Sequence, residues 1–149
     1  MYFRYKCITL EVMELTHETI MHLLVRVILG TLFLFQGYDK LFRIKVAGVT
    51  EYFREEMRNK SIPAFLLSAT AWFTSLAEFL GGLLVLIGFM KTAALYLLGL
   101  DLIVVTVAFS MLKPMWDMSM VFPRLMLLLL ALYLPESSDL LSLDHLLHP

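Results

Sequence analysis

The sequence predicts an all-α integral membrane protein: a four-helix bundle with an amphipathic interfacial helix between the first and second spans. Three observations predict it. Hydrophobic residues make up 60% of the 149-residue chain and charged residues only 17%, where an ordinary soluble domain has about 25% charged. Mean hydropathy is +0.80. The apolar residues fall into four runs, each close to the roughly 20 residues that carry a helix across a bilayer.

These features exclude a disordered chain, a nucleic-acid-binding module and a secreted disulfide scaffold. Four spans and their connections fill the chain, so no separate soluble catalytic domain fits. Cys7 is the sole cysteine, which leaves no internal disulfide, CxxC pair or cysteine zinc site. Any redox role must run through a partner or a bound cofactor. His17, His22, His145 and His148 show no HExxH or paired spacing, so no metal site is expected. Net charge is −1, which selects no charged partner.

Residues 1–18 form a polar tail of mixed charge, without the blocks of a cleavable signal. Loose order is expected there, and Met13 and Met21 are alternative starts. Residues 19–149 are expected to be one four-span domain, with spans near 19–38, 64–90, 92–112 and 118–135. The first run closes on the polar group Gln36, Tyr38, Asp39 and Lys40. Between Phe42 and Lys60, Val46, Val49, Tyr52, Phe53 and Met57 recur at helical steps. Glu51, Arg54, Glu55 and Arg58 take the opposite face. That pattern fits a helix lying on the membrane surface or packed on the bundle end. Ser61-Ile62-Pro63 starts the next helix. Gly88 and Lys91 mark a tight turn before the third run. Lys113-Pro114-Met115-Trp116-Asp117 breaks the chain again, with an interfacial tryptophan. The leucines after Pro135 are expected to return to the membrane surface. Lys and Arg concentrate in the first and third loops, which predicts that both loops are cytoplasmic and both termini outside.

Each proposed span carries one fixed charge: Arg26, Glu78, Asp101 and Arg124. A lone charge at mid-bilayer costs about 2.5–3.5 kcal/mol on insertion scales, so mutual neutralisation is favoured. Counted from the terminal side, Arg26 lies roughly 10 Å deep, Asp101 roughly 14 Å, Glu78 roughly 15 Å and Arg124 roughly 16–18 Å. The sequence thus predicts one shared polar layer. Small residues lie on the same faces, as at Gly30, Gly37, Gly82, Ala94 and Ala108. The layer reads either as buried salt bridges that set helix register, or as a site for a head group, a quinone or a proton path. Which acid meets which arginine stays open. Gln36 and Lys40 form a secondary polar cluster near the interface, with Lys40 expected to snorkel to lipid phosphates.

Several segments resemble the DoxX family of membrane proteins. Phe35-Gln36-Gly37-Tyr38-Asp39-Lys40-Leu41-Phe42 is similar to the "hG..KLF" ending of that family's first helix. Ala77-Glu78-Phe79-Leu80-Gly81-Gly82-Leu83-Leu84-Val85-Leu86-Ile87-Gly88 resembles its "E..GG.LL..G" stretch. Leu141-Ser142-Leu143-Asp144-His145-Leu146-Leu147 resembles its "SLDALL" close. The resemblance implies four transmembrane helices in a bacterial inner membrane and an association with redox membranes, since relatives include a small subunit of a thiosulfate:quinone oxidoreductase. Gly37, Lys40, Glu78, Gly81 and Gly82 match the family pattern. Lys113-Pro114-Met115-Trp116 departs from the family's His-x-Phe-Trp, and Arg124 stands where relatives often carry Asn or an acid. The expected function is a small accessory or anchor subunit of a quinone-linked complex, not catalytic alone, with quinone as the implied cofactor. Its expected partners are the lipid bilayer and membrane or peripheral oxidoreductase subunits, with no nucleic acid. The alternatives are a lipid or small-solute binder or transporter, and a structural membrane protein without a ligand.

Overall fold

The computed structural model describes residues 2–58, 62–112, 119, 121–136 and 139–147, with side chains from His17 onward except at 112. Every regular element among them is helical. Helix α1 runs Tyr2–Tyr38, so it takes in the residues of the polar tail. Once a span is helical, each added residue gains a hydrogen bond without a new nucleation cost. A π-helical turn, Asp39–Arg43, continues α1, and α2 follows at Lys45–Glu56. Lys45 takes a positive φ of 62°, an uncommon conformation for a non-glycine residue that turns the chain between the two. Then come α3 (Ala64–Ile87), α4 (Lys91–Leu112), α5 (Phe122–Tyr133) and the short α6 (Leu143–Leu147).

Three stretches are long and apolar enough to cross a bilayer: His17–Arg43, Ala64–Ile87 and Lys91–Met111. The apolar α5 is shorter, at 12 residues, or about 18 Å at helical rise. The predicted break at Lys113–Asp117, with Trp116, lies outside the described residues. Large apolar side chains such as Ile20, Phe35, Trp72, Leu80 and Ile103 face outward. A water-soluble fold does not expose so broad an apolar surface; lipid takes it without penalty. The chain is an all-α integral membrane protein.

Helices α1, α3, α4 and α5 pack in a ring, each against the next and α5 back against α1, while α2 lies across α3. The α1–α3 contact is closest because glycines remove the side chains between the backbones. A Cβ on Gly37 would stand 2.3 Å from the Phe79 nitrogen, and one on Gly82 would stand 2.4 Å from the Leu34 nitrogen. These contacts set the antiparallel register, with Gly30 opposite Gly82 and Leu86 and with Gly37 opposite Phe79. On the other side of α3, Gly81 receives the Leu98 side chain of α4. Glu78 and Asp101 therefore fall at one level. Gly88 closes α3 at a φ of 71°, a left-handed cap that glycine adopts without a Cβ penalty.

Leu29, Phe33, Val85, Leu95, Leu98, Leu128 and Ala131 fill the middle of the bundle. This apolar plug divides two polar groups. One lies at the terminal end, the other beside α2.

Candidate functional site

The shared layer of four charges does not form. Arg26 belongs to the terminal end, where its Nη1 donates to Asp139 Oδ1 at 3.1 Å and its Nη2 to the Leu141 carbonyl at 3.0 Å. Lys91 Nζ donates to the other Asp139 oxygen at 2.9 Å. The physical reason is register. The glycine contacts set Arg26 opposite the α3–α4 turn, well away from the level of Glu78. Depth counted from span ends missed this, because the bilayer boundary does not determine how two helices slide against each other.

The same cluster holds down the C-terminal segment. Asp144 accepts hydrogen bonds from the backbone amides of Met90 at 2.8 Å and Lys91 at 2.9 Å. It thereby supplies the start of α4 with a cap from far along the chain. The Asp144 amide donates to the Gly88 carbonyl at 3.0 Å, and the Thr92 hydroxyl donates to Glu136. Sequence reasoning overlooked Asp139, Asp144 and Lys91, placing the first two beyond the membrane. The available signal was two acids near the chain end and a lysine at a tight turn.

The second group is the candidate site. Lys40 does not simply snorkel: its Nζ lies 2.7 Å from Glu78 Oε2. The π turn carries this lysine. A π turn widens the helix and redirects its side chains, and such turns recur at functional positions. The Lys40–Glu78 approach is short but off hydrogen-bond direction, so Oε2 has an ion-pair partner without an aligned donor. Asp101 is 0% exposed, and neither of its carboxyl oxygens has a hydrogen-bond partner. It lies within electrostatic range of Glu78, Lys40 and Arg124. Arg124, half-buried on α5, makes no ion pair among the described residues. Gln36 adds a buried, unpartnered Oε1. The structure thus brings Glu78, Asp101, Lys40 and Gln36 together with Arg124 nearby, and separates Arg26 from them.

A cavity of about 290 Å³ adjoins the cluster. Gln36 and Lys40 line it, together with Val49, Phe53, Thr74 and Val105. Thr74 and Val105 stand one helical turn from Glu78 and Asp101, so the acids lie behind the wall of the cavity. Val46 and Val49 of α2 pack on Ala71, and Val49 also lines the cavity. No group of three or more potential metal ligands occurs among the described residues.

The DoxX family model matches residues 21–111. The chain belongs to the DoxX family. The match covers most of the span of α1 and all of α2 and α3, with nearly all of α4, and so includes Gln36, Lys40, Glu78 and Asp101. Arg124 and the Leu141–Leu147 segment lie beyond it. No curated protein and no solved structure matches the chain significantly.

The ion pair makes a direct prediction about this DoxX protein. Lys40→Met leaves Glu78, 1% exposed, without its cation, and breaking one side of a buried pair costs about 3–5 kcal/mol. Because Lys40 is partly exposed, the lower end applies. Adding Glu78→Gln should restore most of the loss, as read from thermal unfolding in detergent. An unchanged single variant would mean that the pair contributes nothing.

Proposed function

We propose that this DoxX-family protein is a small accessory subunit of a quinone-linked redox complex in the bacterial cytoplasmic membrane. In this reading residues 19–149 act as one membrane domain, with α5 as the fourth crossing, and the cavity beside α2 receives the polar ring of a quinone. The observation that carries the reading is Asp101, a fully buried carboxyl with both oxygens unpartnered. Such a group is expensive in an apolar surrounding. Proteins retain features of this kind where function needs them.

The donor set suits a quinone head. The Lys40 ammonium and the Gln36 amide can donate to ring carbonyls. Gln36 Oε1 can accept from a hydroxyl of the reduced ring, and the Glu78 and Asp101 carboxyl groups act on the site from behind the cavity wall. The cavity volume, about 290 Å³, is at the lower end of the ≈ 300–1,000 Å³ typical of small-molecule sites. The plug around Phe33 and Leu98 closes the site toward the terminal end, which favours a binding site over a path through the bundle.

The test is mild-detergent purification from native membranes, with bound quinone quantified and co-purifying polypeptides identified by mass spectrometry. Stoichiometric quinone and an oxidoreductase subunit are expected. Asp101→Leu should lose the quinone yet gain stability, since it removes an unpartnered buried polar group worth about 1–3 kcal/mol. A preparation without quinone or partner would move the function to a self-contained lipid or solute binder.

A further inference from the structure

A second cavity, of about 260 Å³, runs between α3 and α4 beyond the end of α2. Its walls include Met57, Ile62, Leu66, Ile103, Val107 and Met111. Phe53, Thr70 and Ala108 line both this groove and the cavity that holds Gln36 and Lys40. The two therefore adjoin along a shared wall; Gln36 and Lys40 line the inner one, and no charged residue lines the outer one. The outer one faces lipid, because Ile103 is 62% exposed and Val107 55%. The apolar plug lies on the terminal side, and on the α2 side Val49 and Phe53 wall the cavity beside the exposed Ile44 and Tyr52.

From this adjoining pair of cavities we propose that the ligand is an amphiphile with a compact polar head and one extended apolar tail. It reaches the site laterally from the bilayer, and its tail lies in the groove between α3 and α4. This rests on the head-binding role proposed above and specifies the chemical class. The bilayer presents such molecules tail-first along the hydrocarbon layer, so a lateral cleft spares the head a passage through water. Phe53 stands where head and tail compartments meet and sets the width of the passage.

The test uses protein reconstituted in nanodiscs and equilibrium competition with two probes. One is a short-tailed benzoquinone, the other its long-tailed isoprenoid homologue. Val107→Trp and, independently, Ile103→Trp fill the groove from lipid-facing positions, away from the polar end. Leu100→Trp, on a lipid-facing position outside the groove, is the control. Each groove variant should weaken the long-tailed probe about tenfold, equivalent to about 1.4 kcal/mol, and leave the short-tailed probe unchanged. Equal affinity for the long-tailed probe in parent and groove variants would overturn the proposal and make the groove a place for bulk lipid. Equal weakening of both probes would overturn it too, since the groove would then act on the head site. If the parent binds neither probe, the head-site role fails and this proposal with it. Binding of the short probe with no effect of groove filling leaves the head site standing and removes only the tail path.

Discussion

Gly82→Leu should abolish accumulation of folded protein, and Gly37→Ala should destabilise it by about 3 kcal/mol or more, the upper range for overpacking a fitted interior. The added carbons meet backbone, which cannot rotate away. At Gly37 the new Cβ would lie 2.3 Å from the Phe79 nitrogen and 2.6 Å from its Cα, and at Gly82 it would lie 2.9 Å from the Gly30 carbonyl oxygen. The helices must separate, and the Lys40–Glu78 pair at the end of the same interface must separate with them. Gly99 is the control, since its nearest neighbour across the bundle is a Leu128 methyl at 3.9 Å. Gly99→Ala should be neutral or stabilising by up to about 1 kcal/mol, the helix-propensity difference. Size-exclusion profiles and melting points of detergent-solubilised variants read both effects. If Gly37→Ala and Gly99→Ala melt alike, glycine contact does not set the α1–α3 register.

The second large effect is expected at Asp139. This carboxylate, 2% exposed, is shared between Arg26 at 3.1 Å and Lys91 at 2.9 Å. Asp139→Leu strands two buried cations and should cost about 3–5 kcal/mol, as when one partner of a buried pair is removed. Loss of the anchor also frees Leu141 and Asp144, so hydrogen exchange across residues 139–147 should rise before the spans melt. Asp139→Asn should fall between parent and Asp139→Leu, because it keeps acceptor capacity and loses charge. Combining Asp139→Leu with Arg26→Leu and Lys91→Leu should recover much of the stability, since an apolar replacement of a whole buried cluster is often neutral. Slow exchange over 139–147 in Asp139→Leu would show that the segment is held by its leucines instead.

The fate of Arg26 shows why the site was harder to read than the helices. Its burial was legible from its place within an apolar run. Its partner was not, because Asp139 stands 113 residues away in a segment whose polarity suggested water. Lys40 was misjudged for a related reason. Near a span end, a lysine ordinarily reaches outward, and nothing in Tyr38-Asp39-Lys40-Leu41-Phe42 announces the π turn that turns it toward Glu78. Asp101 was the reverse case. In the sequence it was one of four charges, among which Glu78 was the strongest candidate, and only packing left both Asp101 oxygens unpartnered. The amphipathic segment after Phe42 was legible as a helix from its periodicity. That it lines a cavity follows from the turn at Lys45 and from Ala71, which is small enough to receive Val46 and Val49.

By itself the sequence determined the solvent, the helices and the DoxX resemblance. Those depend on local quantities: apolar length, 3.6-residue periodicity and the placement of Gly and Pro. The tertiary structure alone decided which charges meet, which acid is left unpartnered and where the cavities lie. Those depend on how far one helix slides along another, and that displacement is fixed by backbone contact at Gly30, Gly37 and Gly82. A slide of α1 by a single helical turn, about 5.4 Å, would break the Arg26–Asp139 and Lys40–Glu78 pairs while leaving the hydropathy of the chain unchanged.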